Sequence, residues 1–335
     1  PPAIALGMLG YAMIVVGIAI AGPGLLFGSY GDLKLAEAHG NSSTAWFNVG
    51  LLTVPAASMA LLSCYRKGRT WIPSVLALAM VPVLMLLVLI GDRGGLAAQM
   101  MALGWIFTQR YRKLPLWVAV AGFTTALILM PIMKEWRNYR DLQLTNQLSA
   151  RELVAATFYE TGSSGMIVAF TVDAVPRIRG YDYGIGIALP FAYLVPWIGT
   201  AIPRLNDLSA VHNPNFWISE HIDPASYDVK GANHGFTMTG TWYTSFGTPG
   251  VFVLGTLIGW VACRFRNMAR GSPIAATASG LFVVFMFLFI RNSLGTPLRF
   301  AVWPFMILVA GYHVLPYIVR LRPEMPAVEQ TSDPT

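Results

Sequence analysis

The sequence predicts an all-α polytopic integral membrane protein, with about eight transmembrane helices and one long external region containing short helices and a re-entrant or interfacial segment. Three observations predict it. Long apolar stretches alternate with short basic knots, Arg66-Lys67-Gly68-Arg69, Arg110-Tyr111-Arg112-Lys113 and Arg264 through Arg270, and no acidic residue falls in any knot. Hydrophobic residues make up 55% of the chain, charged residues only 12%, and mean hydropathy is +0.55, whereas a soluble domain carries about 25% charge. Between 134 and 246 the alternation stops, and ten of the 16 acidic residues gather there.

Segments near 20 apolar residues are long enough to cross a bilayer. They fall at roughly 3–27, 45–65, 71–90, 95–108, 114–133, 247–263, 273–290 and 300–319, the fourth being short. The chain therefore divides into transmembrane helices 1–5 (1–133), a large external region (134–246), transmembrane helices 6–8 (247–320) and a cytoplasmic tail (321–335). With the N-terminus inside, the three knots, Arg320 and Arg322 all face the cytoplasm. These short inside segments hold eleven of the 23 Lys and Arg; the short outside loops hold four, Lys34, Arg93, Arg291 and Arg299. Basic residues concentrate on the cytoplasmic side of membrane proteins. The net charge of +7 is thus partly topogenic, and no nucleic-acid partner is expected from it.

Cys64 and Cys263 both fall at predicted cytoplasmic helix ends, where a disulfide is not expected. They read as small apolar packing residues. The chain opens on Pro1-Pro2 with no methionine and no signal-peptide pattern, as a fragment lacking upstream helices would.

The external region carries eight basic residues that topology does not explain, because a segment this long is translocated largely regardless of charge. Within it, the stretch 181–202 is apolar enough to span. If it did, every later loop would flip and Arg264, Arg266 and Arg270 would face outward. Pro190, Pro196 and three glycines break a helix there, so it reads as re-entrant or interfacial, a form tolerated where protein or a water-filled cavity satisfies the backbone. Just upstream, Ser149-Ala150-Arg151-Glu152 has the capping-box pattern. It predicts a helix to about Glu160 that stops at Gly162. Arg151 would sit in its first turn, where exposed amides favour an anion; an ordinary solvated helix is the alternative.

Arg177-Ile178-Arg179 follows Pro176 and precedes Tyr181 and Tyr183. Two arginines one residue apart can close on one phosphate, since guanidinium forks bind such oxygens bidentately; a lipid-headgroup anchor is the other reading. Tyr183, Trp217, Tyr227, Trp242 and Tyr243 are nearby aromatics that can stack on sugars or form an interfacial belt. Asp92-Arg93 and Arg291-Asn292-Ser293 end predicted spans on the outer side, where ionisable groups are functional candidates. Four of the five histidines are external: His39, His212, His221 and His234. His234, in Gly231-Ala232-Asn233-His234-Gly235, has flanking glycines that allow close ligand approach. A neutral imidazole can act as a general base. His313 lies in the last span and reads as an interhelical hydrogen-bonding residue. No metal-ligand spacing, dinucleotide-binding or P-loop pattern appears, so neither metal nor cofactor is expected.

From about Gly91 to Arg299 the chain resembles bacterial O-antigen polymerases of the Wzy type. Three stretches carry the resemblance: Gly91-Asp92-Arg93-Gly94-Gly95; Val175-Pro176 through Tyr183-Gly184 to Ile202-Pro203; and Trp242-Tyr243-Thr244-Ser245-Phe246-Gly247 with Gly250 and Gly259. Arg151 and Gly162 also have the Arg-x10-Gly spacing described for periplasmic loops of this class. The chain is shorter than is usual for the class, and no His-x10-Gly element begins at His234. The resemblance implies metal-independent glycan transfer from an undecaprenyl pyrophosphate donor to a lipid-linked acceptor, at the periplasmic face of the bacterial inner membrane. A chain-length regulator and a flippase are the protein partners it implies, beside membrane lipid.

A lipid pyrophosphate leaving group needs positive charge where negative charge develops. Arg93, Arg151, Arg177, Arg179 and Arg291 are the candidates, with His234 ranked above Glu160 as base and Tyr183, Trp242 and Tyr243 as sugar contacts. An O-antigen ligase would use the same donor with a different acceptor. A transporter or flippase of lipid-linked sugars would carry ionisable residues at the bilayer midplane, and the predicted spans are nearly free of them.

Overall fold

The computed structural model describes residues 2–22, 42–64, 71–90, 92–111, 113, 115–117, 120–122, 124–125, 150–195, 198–214, 217–218, 221, 236–290 and 292–320, some of the helical ones by their backbone alone. Among the described residues all regular structure is helical: α1 (Pro2–Ala21), α2 (Ser42–Ser63), α3 (Trp71–Leu89), α4 (Arg93–Arg110), α5 (Ala150–Ala174), α6 (Ile185–Ala192), α7 (Ile198–Ala201), α8 (Arg204–His212), α9 (Met238–Met268), α10 (Pro273–Phe289) and α11 (Gly295–Arg320). By length and composition, Ala3–Ala21, Trp46–Ser63 and Met238–Met268 are long and apolar enough to cross a membrane. The other predicted spans with a described helix correspond to α3, α4, α10 and α11; helical pieces at 116–117, 120–122 and 124–125 lie in the predicted fifth span.

Apolar residues on all sides bury a helix, whereas an apolar helix buried on one side presents the rest to lipid. α2 is of the first kind: 72% of its apolar window is buried, against 22% for α1 and 17% for α9. Phe47, Leu51 and Val54 of α2 pack with Ile14 of α1 and Val83, Leu87 and Ile90 at α3. Ala56 and Met59 pack with Ala98, Ala102 and Ile106 of α4 and Leu281, Val284 and Leu288 of α10. The α1–α2 approach needs a missing side chain, since a Cβ on Gly50 would lie 2.5 Å from the Gly10 carbonyl oxygen. α9 instead exposes Phe252, Val253, Leu257 and Trp260, an apolar face suited to acyl chains.

Two contacts bring the basic knots to one end. The Tyr111 hydroxyl, past the end of α4, donates to the Leu62 carbonyl in the last turn of α2. Arg110 Nη1 donates to the Gly271 carbonyl at 3.2 Å, in the turn between α9 and α10. The chain leaving α2 towards 66–69, the 110–113 knot and the 264–270 knot therefore share an end. At the other end Asp92 caps α4, its carboxylate accepting from the Gly95 amide at 2.9 Å. A cap is a sufficient local reason for that acidic residue.

The expected stop at Gly162 is not there: α5 continues to Ala174. A mid-helix glycine costs only about 1 kcal/mol, and the extension buries Ile167 and Ala174 against Trp217, Ile218 and Phe236 in a core separate from the bundle. α9 begins at Met238, nine residues before the predicted span, capped by Thr237, whose hydroxyl accepts from the Gly240 amide. Gly247, at φ 65° and ψ −156°, kinks it. The stretch from Gly247 to Met268 covers roughly 32 Å at 1.5 Å per residue, near the bilayer hydrocarbon thickness of about 30 Å. The turns before the kink thus extend past that length, away from the knots.

The apolar stretch 181–202 does not form one spanning helix. It breaks into α6, a turn at 193–195 and α7, followed by α8. α6 has eight residues, about 12 Å, and packs against α9 and α11. Asn206 closes the turn, accepting from the Tyr193 hydroxyl at 2.9 Å and donating to the Gly199 carbonyl at 3.1 Å.

Candidate functional site

The site is built where the end of α5 meets the first turns of α9. After Ala174 the chain folds back on the helix end, the amides of Ile178 and Arg179 both donating to the Ala174 carbonyl, at 2.7 and 3.2 Å. It then crosses α9, and the Asp182 amide donates to the Thr244 carbonyl at 3.0 Å. That bond is available because the Gly247 kink leaves carbonyls one turn earlier without a regular helical partner. Tyr181 lies edge-on to Tyr243, ring centres 6.5 Å apart. A Cβ on Gly247 would lie 3.1 Å from the Tyr181 hydroxyl, so kink and crossing fit together.

Asp182 is 5% exposed, and its carboxylate accepts from the Gly184 amide at 3.0 Å. The resulting tight turn holds Tyr183 at φ 50°, uncommon for a residue with a side chain, and 80% exposed. Backbone strain of this kind persists only where surrounding structure enforces it; here the enforcing contacts are the Thr244 and Gly184 bonds. Trp242 and the exposed Phe246 lie on the same turns of α9, 6.1 Å between ring centres, and a Cβ on Gly184 would meet the Phe246 ring at 2.9 Å. The structure thus gathers Tyr183, Trp242 and Tyr243, three of the expected substrate contacts, around one crossing.

The two arginines of Arg177-Ile178-Arg179 diverge. Arg177 is exposed and pairs with Asp173 one turn back on α5. Arg179 turns inward, its guanidinium carbon 5.3 Å from the centre of the Trp217 ring. Its Nη1 is buried and has no hydrogen-bond partner among the described residues. Burial pushes the guanidinium below the ordinary arginine range, and the nearby Asp182 carboxylate partly offsets that push. Arginine nevertheless stays charged at any physiological pH. The result is a half-buried cation over an indole, with one donor unpartnered among the described residues.

Arg151 does lie in the first turn of α5, as expected, and Glu160 lies on the same helix; their side chains, and that of Arg93 at the start of α4, are not described. Twenty-three helical residues separate Arg151 from Ala174, roughly 35 Å along the axis. Arg151 and Arg179 therefore cannot close on one phosphate. His234 and Arg291 lie outside the described residues.

Sequence reasoning passed over Asp182, although it is the single acidic residue in the apolar stretch 181–202. It also treated Trp217 as one aromatic among several. In the structure Trp217 is 8% exposed and central, touched by Phe170 at 5.9 Å, His221 at 5.2 Å and Arg179. Among the described residues no three His, Cys, Asp or Glu side chains meet as a metal site requires. Cys64 and Cys263 are unpaired, as expected.

A family model described as O-antigen polysaccharide polymerase Wzy matches residues 10–317 of the 335. Neither a curated protein nor a solved structure matches the chain.

Proposed function

The chain belongs to the O-antigen polysaccharide polymerase Wzy family, and from that premise we propose that it polymerises lipid-linked oligosaccharide repeat units at the periplasmic face of the bacterial inner membrane. The donor is a glycan on undecaprenyl pyrophosphate, and the acceptor is the sugar of a second lipid-linked unit. The observation that carries this reading is Arg179, a half-buried guanidinium with a buried donor that has no partner among the described residues. It lies beside the first turns of α9, beyond the kink and away from the basic knots.

Transfer breaks the bond between the donor's anomeric carbon and its pyrophosphate oxygen, leaving negative charge on that oxygen. A fixed cation in a site of low dielectric stabilises developing charge far better than one in water. Arg179 is such a cation, and the indole face of Trp217 orients its fork without using the donors. With arginine at the leaving group the transfer needs no metal. Tyr183, Trp242 and Phe246 offer ring faces to sugars, and the exposed apolar face of α9 below them lies alongside the lipid tail.

The experiment is incubation of the purified protein with a lipid-linked repeat unit, followed by sizing of the lipid-linked products. A ladder of multiples is expected. Transfer of single units only to a lipid A–core acceptor would instead make the protein a ligase. Movement of an unchanged unit across a vesicle membrane would make it a flippase.

A further inference from the structure

The mechanism above leaves the acceptor proton unassigned. The geometry points to His221 as the base: we propose that its Nε2 takes the proton of the attacking sugar hydroxyl, beside the same Trp217 ring that Arg179 packs on. This rests on the polymerase reading of the same site.

His221 Nδ1 lies 2.8 Å from the Trp217 carbonyl oxygen. A carbonyl oxygen can only accept, so Nδ1 carries the hydrogen, and in the neutral ring Nε2 holds the lone pair. One bond thus fixes both tautomer and orientation, which is what a proton acceptor needs. The His221 ring packs on Trp217 with 5.2 Å between centres, and the Arg179 guanidinium carbon lies 5.3 Å from the same Trp217 ring. The base and the cation thus pack on one buried indole, which is 8% exposed. His221 itself is exposed, so a hydroxyl can reach it. The other described external histidine, His212, has its Nδ1 buried with no partner among the described residues, and its carbonyl oxygen lies 3.2 Å from where a Cβ on Gly186 would be.

The step balances. The acceptor hydroxyl oxygen bonds to the donor's anomeric carbon while the bond from that carbon to the pyrophosphate oxygen breaks. The electron pair of that bond leaves with the pyrophosphate, held by Arg179. The hydroxyl proton passes to Nε2 and then to water, returning a neutral imidazole.

The test uses the full-length protein in lipid vesicles with a purified lipid-linked repeat unit. His221→Ala should lower turnover by about 10²–10⁴-fold, the usual contribution of a positioned base, with the donor KM little changed. Added imidazole should restore part of the rate in His221→Ala and none in Arg179→Ala. His221→Phe keeps a ring against Trp217 but no nitrogen, and should match His221→Ala. Wild-type turnover in both His221 variants overturns the proposal while the polymerase reading stands. So does a loss that imidazole does not rescue, or a rescued loss found at His234→Ala instead. No polymer from the wild-type protein sinks the polymerase reading, and the proposal with it.

Discussion

Replacing Arg179 with methionine should separate stability from activity. The substitution keeps much of the apolar stem against Trp217 and deletes the guanidinium. It loses a cation–π contact worth about 0.5–2 kcal/mol. It also removes a buried N–H donor that has no described partner, and a donor left so costs about 1–3 kcal/mol. Asp182 keeps its hydrogen bond from the Gly184 amide at 3.0 Å. The opposing contributions nearly cancel, so thermal unfolding of Arg179→Met in detergent should stay close to wild type, within roughly 2 kcal/mol. Catalysis has no such compensation. Loss of one fixed donor at a developing anion costs about 2.7–4 kcal/mol, or 10²–10³-fold in turnover. Arg179→Lys should fall between, because it keeps charge but loses the fork and the stacked plane. The assay is initial rate of polymer formation alongside a melting curve. Wild-type rates in Arg179→Met would refute the role of this residue at the leaving group. Activity lost together with a collapsed melting temperature would refute the idea that its donor is held unused for substrate.

Three further outcomes follow from the same geometry. Gly247→Ala should destabilise the protein by about 1–3 kcal/mol, because φ 65° with ψ −156° suits glycine alone and the new Cβ would lie 3.1 Å from the Tyr181 hydroxyl; an unchanged melting temperature would show that the kink is not required. In a background lacking Cys64 and Cys263, Tyr183→Cys should react with an impermeant thiol reagent from outside and Arg266→Cys should not; the reverse pattern would invert the topology. Polymer formation should survive EDTA, since arginine supplies the positive charge at the leaving group; loss of activity restored by a divalent cation would end the metal-free account.

The helical membrane class was legible because it depends on composition and period, which a bilayer reads directly. Apolar runs near 20 residues and charge confined to knots leave little else possible. That 181–202 is not one spanning helix was legible, but the place of its break was not: Pro190 lies inside α6, and the chain turns at 193–195 instead. One helix boundary was not legible either. Gly162 reads as an end, yet α5 runs through it, whereas the predicted span start at Gly247 falls on the kink in α9. Glycine weakens a helix by an amount smaller than the burial gained by Ile167 and Ala174.

The site divides the same way. Sequence alone determined that arginines near 177–179 and aromatics near 183 and 242–243 stand in one long stretch between the basic knots, because residue type and separation from the knots are properties of the chain. Only the tertiary structure decided that Arg177 turns to Asp173 while Arg179 turns onto Trp217. Only it showed that Arg151 lies a helix length away, and that Asp182 ties the turn after α5 to Thr244. The physical reason is distance: Arg179 and Trp217 are 38 positions apart in the sequence and Asp182 and Thr244 are 62 apart. No local periodicity encodes such pairs; the packing of α5 against α9 brings them together.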